Sequence, residues 1–173
     1  KMIYWIFDMD ETLYKINRGE RFNYDSLTPD QELFNLLKKL NGYKILFTNG
    51  THQHANVVLK KLGLVSAFDL ILDRNILNGL KPDPTVFLKL IKWCSIKPSD
   101  KCFFFEDSVH NLIVGYSLGW QTVLINDDVS NTNNKLLEID IMENGHIVKK
   151  YATIHYTFKN VKEAIKHFIH RTP

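Results

Sequence analysis

Two aspartates, Asp8 and Asp10, follow a short apolar run near the start of the chain. The run, residues 3–7, reads IYWIF, and an unbroken stretch of β-branched and aromatic residues is typical of a central strand that is buried on both faces. Open α/β sheets bind their ligands at the carboxyl ends of such strands. We therefore predict a ligand-binding edge here, although the pattern that ends at Thr12 fits an ordinary strand-to-loop exit equally well when taken alone.

Two further apolar runs, at 43–47 and 102–105, also end in polar side chains. The residues that follow these runs are Thr48, Asn49, Gly50, Glu106 and Asp107. Parallel strands bring their carboxyl ends to one edge of a sheet, and Lys81 lies on a connection that can reach the same edge. The sequence therefore predicts one site that holds several carboxylates, a hydroxyl and an ammonium group.

A cluster of this composition predicts a bound metal ion. Neighbouring carboxylates repel one another and are costly to bury unless they share a cation. No Cys or His belongs to the cluster, and oxygen ligands with room for water suit Mg²⁺ better than Zn²⁺. Together with a lysine, a hydroxyl donor and helix N-termini, such a cation indicates a phosphate site, and phosphoryl transfer is the expected reaction.

The intervening sequence alternates between strand-like and helix-like segments through most of the chain. We predict a single α/β domain over residues 1–173, with a doubly wound, mostly parallel sheet. Residues 15–28 are predicted to form a short loop or hairpin. Residues 126–157 are predicted to be an irregular C-terminal segment, with a flexible loop at 126–134 and a strand or hairpin whose turn is Asn144–Gly145.

Composition narrows the classes of partner. The 173 residues are 45% hydrophobic and carry a formal net charge of +3 without a basic block, so we expect no stable nucleic-acid partner, while anionic substrates are compatible. Neither Cys94 nor Cys102 belongs to a metal-ligand pattern, and we interpret both as reduced core residues of a cytoplasmic protein. The first apolar run is too short to span a membrane. The oligomeric state is left open.

The order of these motifs resembles the haloacid dehalogenase (HAD) superfamily of phosphatases. The matching segments are DMDET from Asp8, TNG from Thr48, KPDP from Lys81 and FEDS from Phe105. Within the superfamily the sequence is most similar to the pyrimidine 5′-nucleotidase branch, except that the helical cap of that branch is reduced to residues 15–28 or missing. The resemblance implies a Rossmann-like HAD core with a minimal cap or none.

The resemblance also implies a role for each site residue. Asp8 would be the nucleophile that forms an aspartyl-phosphate, and Asp10 the general acid and then the general base. The residues expected to bind phosphate are Thr12, Thr48, Asn49, Gly50 and Lys81. Lys81 and Thr48 also belong to the catalytic set. The expected Mg²⁺ ligands are Asp8, the backbone carbonyl of Asp10, and Asp107, with Glu106 binding directly or through water.

The substrate follows less directly. A small phosphorylated metabolite such as a nucleoside monophosphate is the first candidate, and an open site would also admit a phosphoprotein or a nucleic-acid end. A non-catalytic binding module with the same fold is the alternative from another class. The residues expected to contact the leaving group are Arg18, Arg21, Phe22 and Tyr24. We interpret His52, His54 and His110 as residues on helix surfaces.

Overall fold

A computed structural model describes residues 1–16, 19–128 and 133–171. Its strands are β1 (Ile3–Phe7), β2 (Tyr43–Phe47), β3 (Leu70–Leu72), β4 (Lys101–Glu106), β5 (Gln121–Ile125), β6 (Lys135–Glu143), β7 (His146–Ile154) and β8 (Tyr156–Phe158). Its helices are α1 (Gln31–Lys39), α2 (His52–Leu62), α3 (Arg74–Leu77), α4 (Pro84–Cys94), α5 (Val109–Ser117) and α6 (Val161–Arg171). Six strands form one parallel sheet in the order β3-β2-β1-β4-β5-β8. The predicted α/β class and parallel sheet are confirmed.

Both faces of the sheet are covered, which explains why its strands are apolar without alternation. Along β1, Trp5 and Phe7 face one core, to which α1, α2 and α6 contribute. Tyr4 and Ile6 face the other core, together with side chains of α3, α4 and α5. Because the chain leaves β1 toward β2 on one side and has β4 on the other, the carboxyl end of β1 lies where the strand order reverses, the usual position of a ligand site.

Local signals set the ends of the helices. Asp30 caps α1 by accepting the N–H of Leu33 at 3.0 Å, and Pro29 stands just before this cap. Thr51 caps α2, and Gly63 ends it with a φ of 69°. The start of α2 bears on the predicted site, because α2 begins directly after the polar residues that follow β2.

The C-terminal part differs from the prediction. Residues 126–157 are not irregular throughout: β6 and β7 form a hairpin of two nine-residue strands, and β8 joins the parallel sheet beside β5. The predicted turn is present, with positive φ at Asn144 and Gly145. The length of the strands was missed because Leu136, Met142 and Ile147 point to solvent and obscure the alternation. Residues 129–132 of the predicted flexible loop lie outside the described residues.

The short segment before α1 forms no strand in its described part, residues 19–28. It contains one turn of 3₁₀ helix, Tyr24–Ser26, in which Asn23 accepts the N–H of Asp25 at 3.0 Å. Within the part of the chain that the structure describes, no helix is long and apolar enough to cross a membrane.

Candidate active site

Asp8 occupies the first position after β1 and is nearly buried. Its backbone N–H donates to the carbonyl of Phe105 at 2.9 Å, which extends the pairing of β1 with β4 by one residue. The Nζ of Lys81 lies 3.0 Å from Oδ1 of Asp8, and the hydroxyl of Thr12 donates to Oδ2 at 3.0 Å. Both carboxylate oxygens of Asp8 are therefore held in place.

Lys81 is the central cation of the site. Its buried ammonium donates to Asp8, to Glu106 at 2.9 Å and to the carbonyl of Phe47 at 2.7 Å. Its backbone is clamped by Asn49, whose Nδ2 donates to the Lys81 carbonyl at 3.0 Å and whose Oδ1 accepts the Lys81 N–H at 2.8 Å. The side chain of Asn49 therefore positions Lys81, which leaves the predicted phosphate contact of this residue to its backbone.

Asp8, Glu106 and Asp107 form a carboxylate cluster in which one oxygen of each lies within 4.8 Å of the others. Burial raises the pKa of Glu106 well above its usual range, more than Lys81 lowers it. Burial also raises the pKa of Asp107. At Asp8 burial is the largest effect and acts in the same direction, but the charge of Lys81 and the hydrogen bonds with Asp107, Glu106 and Lys81 together outweigh it and lower the pKa. One ammonium thus does not fully compensate three carboxylates.

The cluster fits a divalent cation. Three carboxylates against one ammonium leave two formal negative charges, and every potential metal ligand in the cluster is a carboxylate oxygen. Hard oxygen donors around a site that reaches the surface at Asp107 suit Mg²⁺. Among the predicted ligands, the carboxyl group of Asp10 is not part of the cluster. Its backbone carbonyl remains a predicted ligand.

Asp10 belongs to a separate hydrogen-bonded network. The hydroxyl of Tyr14 donates to Oδ1 of Asp10, and Nε2 of His54 lies 2.9 Å from Oδ1 and 3.1 Å from Oδ2. The hydroxyl of Tyr24 lies 2.7 Å from Nδ1 of His54. We call these four residues the Asp10 network. Its donors to the Asp10 carboxyl group are a phenol and an imidazole, in contrast to the ammonium group at Asp8.

His54 was wrongly set aside as a residue of the helix surface. It lies in the first turn of α2, and its ring points back to the edge of the sheet where Asp10 emerges. A signal was present in the sequence, because the first turn of a helix that follows a strand of a parallel sheet lies at the ligand-binding edge. The other two histidines agree with the prediction. His52 bonds Asp73 at 2.7 Å with its side chain 62% exposed, and His110 is exposed.

Thr48 and Gly50 line the site beside the Asp10 network. Thr48 is buried, and its Oγ1 accepts the N–H of Gly50 at 3.0 Å, so its own hydroxyl proton can still be donated. A Cβ on Gly50 would lie 2.9 Å from Cδ2 of His54 and 3.2 Å from Oγ1 of Thr48. Glycine at this position therefore leaves the space that the His54 ring and the Thr48 hydroxyl require.

Two of the residues predicted to contact the leaving group contact His54 of the Asp10 network. Phe22 packs against the ring of His54 at 5.8 Å between centroids, and Tyr24 bonds the same ring. Arg21 is exposed, and Arg18 lies outside the described residues. The described part of the segment at 15–28 is thus in contact with the Asp10 network.

Residues 17–119 match the family of haloacid dehalogenase-like hydrolases. The chain belongs to this family. The matched residues begin after Asp8, Asp10 and Thr12, so the roles of these three residues rest on the geometry described above and on the motif resemblance.

The proteins similar to this chain include some named as phosphatases and some named as dehalogenases. Over 115 residues the chain is 27% identical to a Bacillus subtilis (strain 168) protein named "Putative phosphatase YhcW", a match that covers 66% of this chain and 52% of that protein. A HAD phosphatase from Thermococcus onnurineus has a TM-score of 0.56 at 21% identity, covering 78% of this chain and 54% of the other. An L-2-haloacid dehalogenase from Xanthobacter autotrophicus has a TM-score of 0.52 at 17% identity, covering 60% and 42%. The chain spans about half the length of these relatives, and the structural matches establish the shared fold alone.

Proposed function

We propose that this HAD-family hydrolase is a Mg²⁺-dependent phosphatase that hydrolyses phosphate monoesters through an aspartyl-phosphate on Asp8. The observation that carries the proposal is that two neighbouring carboxylates have different contacts. Asp8 lies in the carboxylate cluster with Lys81 bound to it, whereas Asp10 is held outside the cluster by Tyr14 and His54. A nucleophile next to a separate proton donor is the arrangement that ester hydrolysis in two steps requires.

In the first step an oxygen of Asp8 attacks the phosphorus, and the bond from phosphorus to the leaving oxygen breaks. The leaving oxygen keeps the electron pair and takes a proton from Asp10. In the second step Asp10 takes a proton from a water molecule that attacks the same phosphorus, and the bond to Asp8 breaks to release phosphate. Both carboxyl groups return to their starting states.

The surrounding residues support both steps. Lys81 neutralises Asp8 and can contact the phosphoryl group, and the hydroxyl of Thr48 can donate to a phosphoryl oxygen. Mg²⁺, held by Asp8, Asp107 and Glu106 together with the Asp10 carbonyl, would neutralise charge on the phosphoryl group. A carboxylate is a weak nucleophile, so proximity and charge neutralisation must supply its reactivity.

Two features support a phosphatase over a dehalogenase. Cleavage of a carbon–halogen bond leaves a halide that needs no proton, so it needs no general acid at the position of Asp10. It also gives no task to a metal ion, whereas the cluster of three carboxylates fits one. The Bacillus relative, named as a putative phosphatase, supports the same reading.

The substrate we propose is a small phosphate ester, with nucleoside monophosphates as the first candidates because the motifs resemble the nucleotidase branch. The short segment at 15–28 favours a second candidate, a phosphate on a macromolecule. Little chain is available there to enclose a substrate, since α1 begins at Gln31. An open edge of this kind admits a large leaving group.

The test is phosphate release from a panel of nucleoside monophosphates, sugar phosphates, a phosphopeptide, a 5′-phosphorylated oligonucleotide and p-nitrophenyl phosphate, with Mg²⁺ or with EDTA. We expect Mg²⁺-dependent release that Asp8→Asn abolishes. Asp25→Asn is the matched control, because its carboxylate is exposed and pairs with the surface residue Lys61 at 3.3 Å. Halide release from a 2-chloro acid, or release that persists in Asp8→Asn, would overturn the proposal.

A further inference from the structure

His54 has two fixed hydrogen-bond partners, one at each ring nitrogen. When the Asp10 carboxyl group is ionised, both of its oxygens accept hydrogen bonds, and Nε2 of His54 is then the donor to Asp10. In the neutral ring Nδ1 then accepts, and the hydroxyl of Tyr24 at 2.7 Å is its donor. The network therefore sets both the tautomer and the orientation of the imidazole.

The backbone and the neighbouring aromatic rings hold His54 in this position. Its N–H donates to the hydroxyl of Thr51 at 3.1 Å, which fixes it in the first turn of α2. The rings of Phe22 and Tyr24 lie 5.8 and 5.6 Å from the imidazole between centroids. Both belong to the short segment between β1 and α1. This segment thus supports a side chain of the site from outside.

The two oxygens of Asp10 are not equivalent. Oδ1 accepts from Tyr14 and lies 2.9 Å from His54, whereas Oδ2 has the longer contact with His54 at 3.1 Å. With Oδ1 engaged by two donors, Oδ2 is the oxygen that is better placed to carry a transferable proton.

We propose that His54, held by Tyr24, is a positioning residue that aims Oδ2 of Asp10 at the leaving oxygen of the substrate. The inference rests on the proposed phosphatase activity and extends it. The segment at 15–28 then contributes to catalysis by fixing the general acid through His54. The bonds that form and break, and the proton that moves, are those of the two steps given above.

The loss of activity on replacing His54 should depend on how much the leaving group needs a proton. An alkoxide is a poor leaving group and requires one, whereas p-nitrophenolate leaves without help. The ratio kcat/KM reports steps up to the first irreversible one, which is departure of the leaving group, so it excludes hydrolysis of the aspartyl-phosphate. A loss of kcat/KM on alkyl esters alone would therefore indicate that the carboxyl group of Asp10 is misoriented. A general structural defect would lower kcat/KM on both esters alike.

The experiment compares the wild-type protein with His54→Leu, His54→Gln and Tyr24→Phe. Its substrates are p-nitrophenyl phosphate and the alkyl phosphate of the panel that the wild-type protein hydrolyses fastest. For His54→Leu we expect kcat/KM to fall about 10- to 100-fold on the alkyl ester and to stay within about twofold on the aryl ester. His54→Gln keeps an N–H near the position of Nε2 and should recover part of the loss. Tyr24→Phe should give a smaller loss of the same kind.

His52→Gln is the control, because His52 lies two residues earlier on α2 and bonds Asp73 instead of Asp10. It should leave both esters unchanged. Equal losses on both esters, or no loss on either, would overturn the inference about His54 while leaving the phosphatase proposal intact. A wild-type protein that releases no phosphate from any member of the panel would overturn both. If thermal unfolding shows that His54→Leu does not fold, His54→Gln and Tyr24→Phe are each compared with the wild-type protein. A loss of kcat/KM on the alkyl ester alone then supports the inference, and equal losses on both esters or no loss on either overturn it.

Discussion

Asp8 and Asp10 are the same residue type two positions apart, yet they lie in opposite environments. The side chain of Asp8 is 10% exposed and contacts the ammonium of Lys81, while that of Asp10 is 34% exposed and contacts Tyr14 and His54. The first environment stabilises a permanent negative charge. The second offers donors that stay bonded while the carboxyl group gains or loses a proton.

This difference separates the two chemical roles. A nucleophile has to remain ionised, and a general acid has to exchange a proton at every turnover. When two titratable groups have contrasting environments, their roles can be assigned from those environments. We call Asp8, Lys81 and Glu106 the buried side of the site, and Asp10, Tyr14 and His54 its outer side. Substitutions on the two sides should therefore have different effects on stability and activity.

The largest effect should come from the buried side. Lys81→Met leaves Asp8 and Glu106 buried without their cation, so we expect phosphate release to be lost and the free energy of unfolding to fall by about 3–5 kcal/mol. Urea unfolding in EDTA measures this. Burial lowers the pKa of Lys81, but the charges of Glu106 and Asp8 raise it above the usual lysine value overall, so the contribution is fully present at neutral pH and is lost only as the pH rises through the raised pKa.

The control for this variant is Lys61→Met, because Lys61 forms an exposed pair with Asp25 at 3.3 Å and should give no resolvable change in unfolding. If Lys81→Met were as stable as the wild-type protein, the buried ion pairs would not hold this side of the site together.

The outer side should respond in activity but not in stability. For Asp10→Asn we expect kcat/KM on an alkyl phosphate to fall by about 10²- to 10⁴-fold, the usual contribution of general acid–base catalysis. The midpoint of urea unfolding should stay near that of the wild-type protein, since the amide can still bond Tyr14 or His54. A loss of stability like that of Lys81→Met would contradict the contrast between the two carboxylates.

Metal binding should follow the same division. Mg²⁺ at about 100 times its dissociation constant should raise the free energy of unfolding by about 2.7 kcal/mol. Asp107→Asn should remove most of this increase, because Asp107 is a member of the carboxylate cluster. Asp10→Asn should retain it, and so should the control Glu138→Gln, whose exposed carboxylate pairs with Lys149 on the hairpin. An equal loss in Asp10→Asn would place the carboxyl group of Asp10 on the metal.

The buried side of the site was predictable from the sequence because strand ends are well defined there. An apolar run that stops at Asp8 fixes which residue leaves the sheet, and parallel pairing brings Glu106 to its side. The outer side was not predictable to the same degree. Whether His54 points toward Asp10 depends on how α2 is rotated about its axis, and on Gly50 and Tyr24, which no local sequence period records.

Prediction of the strands from the sequence was limited in the same way. Strands β1, β2 and β5 end where their apolar runs end, because burial on both faces leaves little choice. The hairpin of β6 and β7 has one face in water, and the apolar side chains on that face contradict the pattern that would have revealed it. Prediction thus succeeded where burial determines the residue types and failed where it does not.

The smallest effect should come from the contact between the two sides. In Gly50→Ala the new Cβ would lie 2.9 Å from the His54 ring, so we expect the ring to shift and kcat/KM on an alkyl phosphate to fall about 10-fold. The same change in a His54→Leu background should cost less, because the orientation of Asp10 is already lost. If the two losses multiplied fully, Gly50 would act through Thr48, whose hydroxyl lies 3.2 Å from the same Cβ, and the defect would then extend to the aryl ester.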